Sequence, residues 1–134
     1  MLKIVPDTNI LVSAFIAHGN EYEILKLGKL KEIKIIISSA ILEEFGEVIR
    51  RPKFGFSNKQ IEDFIKQVLD TVEIVFPSIK LEIVKEDFED NRILEAAVET
   101  KADYIISGDF HLLKLGQFKD IKIVAASQFL DLIK

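Results

Sequence analysis

Two short apolar runs of the chain are each followed by an acidic residue, at the point where a buried strand would end. The segment "KIVPDTN" places Asp7 after the run 2–5, and "DYIISGDF" places Asp109 after the run 104–106. Parallel strands bring their carboxyl ends to one edge of a sheet, so both acids should project from that edge. Each could instead cap the helix that follows, because Asp is favoured at helix N-termini and in Asx turns.

Two further acids lie on predicted helices. Apolar residues define the buried face of the helix predicted over 40–50, and at about 100° per residue Glu44 lies on the flank of that face. Glu43 points nearly the opposite way. Asp90 stands three and four residues before the apolar pair in "EDNRILEAA", so its side chain should lie over the inward face of that helix. A salt bridge for Glu44 and a helix cap for Asp90 are the alternatives.

Four carboxylates gathered at one edge would repel each other and raise each other's pKa, unless a divalent cation lies among them. The chain has no cysteine and two histidines beside 22 acidic residues. Hard oxygen ligands of this kind favour Mg²⁺ or Mn²⁺ over zinc.

Strand-like and helical patterns alternate along the chain. The short β-branched runs lack polar alternation, which is typical of strands buried on both faces of a parallel sheet; they are 2–5, 33–37, 72–76, 104–106 and 121–124. Helical spacing lies between them, at 10–17, 22–30, 40–50, 58–71, 91–100, 110–115 and 127–133. This alternation predicts an α/β fold, a three-layer α/β/α sandwich with a mainly parallel sheet of about five strands.

Local signals set several helix boundaries. Ser57 and Gln60 have capping-box spacing, and Ser39 is placed to cap the helix that starts near Ala40. Pro52 and Gly55 should separate two helices, because both oppose helix continuation.

Length and composition narrow the class of protein. A chain of 134 residues with 49% hydrophobic and 30% charged residues predicts one globular domain, 1–134. The net charge of -4 argues against a generally basic nucleic-acid-binding surface, although it permits a local basic rim. The sequence shows neither a signal peptide nor an apolar run approaching the roughly 20 residues of a membrane span, which predicts a cytoplasmic protein without membrane contact.

Four segments resemble the successive motifs of a known family. "VPDTNILVSA", "SSAILEEFGEVIRRPKF", "EDNRILEAAVETKADYIISGD" and "FHLLKL" are similar to those of PIN-domain nucleases, particularly the small prokaryotic members often labelled toxin components of toxin–antitoxin pairs. The resemblance covers residues 3–125. It implies a parallel-sheet fold, metal-dependent ribonuclease activity and an acidic quartet at Asp7, Glu44, Asp90 and Asp109, the four positions already selected.

The leading hypothesis is therefore hydrolysis of RNA by metal-activated water. Asp7 and Asp109 would bridge the Mg²⁺ or Mn²⁺ ion with Asp90 nearby, and a second ion would stabilise the leaving oxygen. Glu44 would ligate a metal through water or accept the proton of the nucleophile. Asn9 and Ser107 are candidates to orient the carboxylates; the alternative is that they only form turns. Arg51 and Lys53 are candidates to contact phosphate; the alternative is a solvated loop whose Phe residues anchor in the core.

Two other classes of function stay open. Aspartyl-phosphate phosphatases and phospho-receivers also place an Asp after the first strand. The phosphatases need a second acid two residues later, where this chain has Asn9, and the receivers need an adjacent acid pair before the strand-end Asp, which this chain lacks. A catalytically inactive module that binds a partner protein is the other alternative, since His111 stands where similar proteins often carry an acid. Pro6 is a second departure, because an aliphatic residue is usual there. The family resemblance also implies a homodimer and a small antitoxin partner.

Overall fold

The apolar runs of the sequence form the strands of one sheet. The computed structural model describes residues 1–83 and 88–134. In them the strands are β1 (Lys3–Pro6), β2 (Lys34–Ser38), β3 (Glu73–Val75), β4 (Tyr104–Ile106), β5 (Gln117–Phe118) and β6 (Ile121–Val124). Their order across the sheet is β3-β2-β1-β4-β6-β5, and all neighbours are parallel except β5 and β6.

Helices cover both faces of this sheet. They are α1 (Thr8–Ile16), α2 (Asn20–Lys29), α3 (Ser39–Ile49), α4 (Asn58–Thr71), α5 (Phe88–Thr100), α6 (Phe110–Leu115) and α7 (Ala126–Leu132). Buried residues of α3, α4, α5 and α6 form one apolar cluster with the sheet, and those of α2 and α7 form the other. The predicted α/β/α layering is confirmed. No helix in the described residues is long and apolar enough to cross a membrane.

Adjacent residues of the central strands pack on opposite faces. In β1, Ile4 belongs to the cluster under α2 and α7, whereas Val5 belongs to the cluster under α3 to α6. In β4, Ile105 and Ile106 divide between the two clusters in the same way, and all four side chains have no exposed surface. The prediction of strands buried on both faces is therefore confirmed for the central strands. It is wrong for β3, whose residues are exposed or half-buried at the edge of the sheet, and for β6, where Lys122 is exposed.

The local signals were right at one helix and wrong at another. At α4 the capping box is present, with Gln60 N–H donating to Ser57 Oγ at 3.1 Å and Ser57 N–H to Gln60 Oε1 at 2.8 Å. At α3 the cap is Ser38 instead of Ser39, because its Oγ accepts from Ile41 N–H at 3.2 Å and the helix begins one residue earlier than predicted. Because Ser38 and Ser39 are consecutive, the sequence alone does not show which of them caps the helix.

The sheet has six strands, where the sequence predicts about five. The sixth strand, β5, has two residues and pairs antiparallel with β6. Two residues carry no periodic pattern, so the sequence could not indicate it. Helix α5 also begins at Phe88, three residues before the predicted start.

The edge that carries the acids is set by the pairing of β1 with β4. Pro6 lies opposite Ile106, and the next residue, Asp7, still donates its N–H to the Ile106 carbonyl at 2.9 Å. On the far side of β4, Ser107 N–H donates to the Val124 carbonyl at 3.0 Å. The chain therefore leaves two neighbouring strands at the same level, and Asp7 and the 107–109 turn emerge side by side.

Candidate active site

Asp7 is a buried carboxylate at the start of α1. Its residue is 4% exposed, and Oδ1 accepts a hydrogen bond from Ile10 N–H at 2.9 Å, which caps the helix. Oδ2 accepts from the Ser107 hydroxyl at 2.5 Å and, at the longer distance of 3.4 Å, from Gly108 N–H. Both oxygens are thus fixed in direction by the turn that follows β4 and by the first turn of α1.

The Ser107 hydroxyl links the two strand-end acids. It is fully buried, donates to Asp7 and accepts from Asp109 N–H at 2.9 Å. Asp109 Oδ1 in turn accepts from His111 N–H at 2.8 Å and Leu112 N–H at 3.3 Å, capping α6. Both acids therefore cap helices, as the alternative interpretation predicted, and they are also held next to one another.

The surroundings of Asp7 make its negative charge costly. Burial raises the pKa of the Asp7 carboxyl above its ordinary value, and the negative charge of Asp109 raises it further. Hydrogen bonds from Ser107, Ile10 and Gly108 act in the opposite direction without cancelling the rise. A positive charge placed between the two carboxylates would therefore be stabilised.

Glu44 contributes from α3, which packs against α1. It is half-buried and Glu43 is exposed, as the helical face predicted. Next to Asp7, the Thr8 side chain is buried, and its hydroxyl has no hydrogen-bond partner within 1–83 and 88–134. Both residues line a cavity of about 190 Å³, together with Ala40, Ile41, Glu43, Glu47 and Arg92.

The first turn of α5 completes the surroundings of that cavity. Asp90 is the third residue of the helix, so it lies in the first turn and not at the cap position. Its residue is 4% exposed. Two residues later, the Arg92 guanidinium lines the cavity beside Glu44 and pairs with Glu95 at 3.2 Å. The buried Glu95 also accepts from Leu81 N–H at 2.8 Å, which fixes the salt bridge to the rest of the fold.

A family model described as "PIN domain" matches residues 3–111 of this chain, well over half its length. The chain belongs to the PIN domain family. PIN domains are generally nucleases.

Solved structures share the fold at low sequence identity. The crystal structure of VapBC2 from Rickettsia felis bound to a DNA fragment from their promoter has a TM-score of 0.65 and 21% identity, over 91% of this chain and 97% of that chain. The crystal structure of PAE2754 from Pyrobaculum aerophilum has a TM-score of 0.62 and 15% identity, over 98% of this chain and 90% of that chain. A search of curated proteins returns no significant match.

The donor chemistry of the PIN domain site fits a hard divalent cation. All the candidate ligand atoms are carboxylate oxygens, and the pKa of the buried Asp7 is raised partly by the charge of Asp109, which a cation would relieve. Within residues 1–83 and 88–134, no three His, Asp or Glu side chains are arranged to hold a metal ion. The ligand set Asp7, Asp90 and Asp109 stays a prediction.

The other sequence candidates lie in different surroundings. Asn9 is exposed on α1, and the side chains and N–H groups that bind Asp7 in the described part of the PIN domain do not include it. Arg51 and Lys53 are exposed on the loop between α3 and α4. Phe54 and Phe56 of that loop pack against the core, which agrees with the alternative of a solvated loop anchored by its aromatic residues.

Sequence reasoning did not select several residues that line the site. Glu47 follows Glu44 by three residues on one helical face, so the spacing could have indicated it. Thr8 could not be selected from the sequence, because a hydroxyl residue directly after an Asp is typical of a turn. Arg92 could not be placed from the sequence, because its contact with the cavity depends on how α5 packs against α3.

Replacing Ser107 by Ala is expected to lower both the free energy of unfolding and the nuclease activity. The change leaves the half-buried Asp109 N–H without its acceptor and removes the donor that orients Asp7, so we expect a loss of about 1–3 kcal/mol of unfolding free energy. Cleavage should fall by roughly 10- to 100-fold. Urea denaturation and nuclease assays measure the two effects, with Ser127→Ala on the exposed side of α7 as the control. Unchanged cleavage in Ser107→Ala would mean that the hydroxyl does not orient Asp7.

Proposed function

We propose that this PIN domain is an endoribonuclease that hydrolyses RNA phosphodiester bonds with the help of Mg²⁺ or Mn²⁺. The proposal rests mainly on the position of the Ser107 hydroxyl. This hydroxyl accepts a hydrogen bond from Asp109 N–H and donates one to the Asp7 carboxylate. It holds together two acids from the ends of adjacent strands, one of them buried with a raised pKa. Such an arrangement costs stability unless it serves a positively charged ligand.

In this proposal the four acids have different roles in the reaction. Asp7, Asp109 and Asp90 would hold the cation, whose chemistry is to neutralise charge on the phosphate and to activate water. Glu44 lines the adjacent cavity and would accept the proton released when water attacks phosphorus. Ser107 keeps the Asp7 carboxylate oriented throughout.

The partners and the location of the protein are also part of the proposal. The VapBC2 structure holds a protein pair on a DNA fragment from their promoter, and this chain has the same fold. We propose that the chain is the toxin of a comparable pair, forms a homodimer and is restrained by a small antitoxin. We also propose that the substrate is cellular RNA and that the protein acts in the cytoplasm.

Metal-dependent cleavage is the direct test of the proposal. Purified protein is incubated with a fluorescently labelled single-stranded RNA, first with EDTA and then with Mg²⁺ or Mn²⁺ added in excess. We expect cleavage only after the metal is added. The matched control is Asp131→Asn, which changes an exposed carboxylate on α7 that pairs with Lys134; it should cleave like the wild type.

Three outcomes would contradict the proposal. Cleavage that persists in EDTA would exclude metal dependence. Equal cleavage by Asp7→Asn and the wild type would indicate a contaminating nuclease. No cleavage of any RNA, with specific binding of another protein at the same surface, would favour the alternative of an inactive interaction module.

A further inference from the structure

An exposed aromatic residue directly follows one of the candidate active-site acids in the chain. Phe110 is the first residue of α6, immediately after Asp109, and it is 69% exposed. One helical turn later, Lys114 places its Nζ 5.9 Å from the centre of the Phe110 ring. The ring of His111 lies 5.8 Å away at an interplanar angle of 66°. The outer face of α6 thus combines a flat apolar ring with a cation.

The basic loop between α3 and α4 has cations, but its two aromatic rings are half-buried. Phe54 and Phe56 stack on each other at 5.6 Å with an interplanar angle of 5°, and both pack against the core. Phe56 also meets the edge of Phe64 at 5.0 Å. Lys53 Nζ also lies 5.0 Å from the centre of the Phe54 ring. Both rings of this loop are thus half-buried and already partnered, so they are less suited to stack on a base than a ring that is largely exposed.

The position of Phe110 suits a nucleobase better than an apolar protein surface. Along α6, Leu112 is buried and Leu113 packs half-buried against the core, while Lys114 is exposed. The largely exposed apolar side chains of this helix are Phe110 and, five residues later, Leu115, which is 38% exposed. An isolated ring flanked by a cation is how proteins commonly bind single-stranded nucleic acid, with bases stacked on aromatic rings and phosphates near Lys or Arg. Large apolar patches, by contrast, mark protein interfaces.

We propose that Phe110 stacks on an RNA base next to the cleaved phosphodiester, with Lys114 near an adjoining phosphate. The proposal rests on the proposed function, because it assumes that Asp109 belongs to the site of cleavage. It requires the bound base to be unpaired, since bases within a duplex cannot stack on a side chain. Phe110 would bind and position the substrate and would take no part in the chemical step.

The absence of tryptophan from the sequence allows stacking to be measured directly. Phe110→Trp introduces one indole at the proposed position, in an Asp7→Asn background so that the RNA stays intact. We expect single-stranded RNA to quench its fluorescence, and duplex RNA or an oligonucleotide that is abasic at the cleavage site to do so much less. Phe76→Trp is the matched control, because Phe76 is 76% exposed after β3, which β2 and β1 separate from β4; its fluorescence should change little.

Kinetics in the otherwise wild-type protein give a second readout. Phe110→Ala should raise KM for single-stranded RNA by about tenfold with kcat within about twofold, and Phe110→Tyr should restore most of the binding.

Unchanged KM, or no quenching of Phe110→Trp by RNA that the wild type cleaves, would overturn the stacking proposal and leave the nuclease proposal standing. A changed oligomeric state of Phe110→Ala in sedimentation velocity would overturn it in favour of a protein interface. If the wild type neither cleaves nor binds RNA, the proposed function itself fails, and the stacking proposal fails with it.

Discussion

Replacing Asp7 by Asn is expected to lower RNA cleavage on the order of 10³-fold or more, while the protein stays folded. The amide keeps the shape of the side chain and can still cap α1, because Asn is as good an N-cap as Asp. It removes the negative charge that would hold a cation. Initial rates with Mg²⁺, measured beside the Asp131→Asn control, give the loss, and circular dichroism checks the fold.

The same substitution should make the metal-free protein more stable at neutral pH. Burial raises the pKa of Asp7 in the folded protein above its value of 3.8 in the unfolded chain. The contribution of Asp7 to stability is therefore fully present below pH 3.8, and it is lost as the pH rises through the higher folded value. Asp7→Asn removes this dependence.

Urea denaturation in EDTA across a pH series measures this effect. The advantage of Asp7→Asn over the wild type should shrink as the pH falls toward 3.8. A variant that is less stable than the wild type at neutral pH would show that the ionised carboxylate stabilises the fold through its hydrogen bonds, contrary to the expected cost of its charge.

Two substitutions at Asp109 separate helix capping from chemistry. Asp109 accepts hydrogen bonds from two N–H groups at the start of α6, and Asn can keep them whereas Ala cannot. We expect both Asp109→Asn and Asp109→Ala to lower cleavage by at least about 100-fold. Only Asp109→Ala should also lose stability, by about 1 kcal/mol.

Cleavage rates and urea denaturation of the two variants decide between the interpretations. Near wild-type cleavage by Asp109→Asn would reduce Asp109 to a helix cap and remove it from the proposed site. Loss of cleavage in both variants, with loss of stability in Asp109→Ala alone, would assign it both roles.

The sequence was sufficient for the parts of the site that depend on strand ends. Asp7 and Asp109 each follow a buried run, and parallel pairing of β1 with β4 brings such ends to one edge whatever the details of packing. Ser107 could be selected for the same reason, because it belongs to the turn after β4. Glu44 followed from the helical period, which fixes the flank of an amphipathic helix.

The remaining features depend on tertiary contacts that a one-dimensional pattern does not contain. Asn9 was selected because it is near Asp7 in sequence, but α1 turns its side chain to solvent and turns Thr8 inward. Arg92 reaches the cavity only through the packing of α5 and its salt bridge to Glu95. Whether Phe54 or Phe110 is exposed likewise depends on which ring finds a partner in the core.

Binding of Mn²⁺ tests the central claim most directly, because it does not require the RNA substrate to be known. Free Mn²⁺ is measured by electron paramagnetic resonance during titration of the wild type, Asp7→Asn, Asp109→Asn and the Asp131→Asn control. If Asp7 and Asp109 share a cation, the wild type and the control should bind alike, and the two site variants at least about tenfold more weakly. Equal binding by all four proteins would contradict the account.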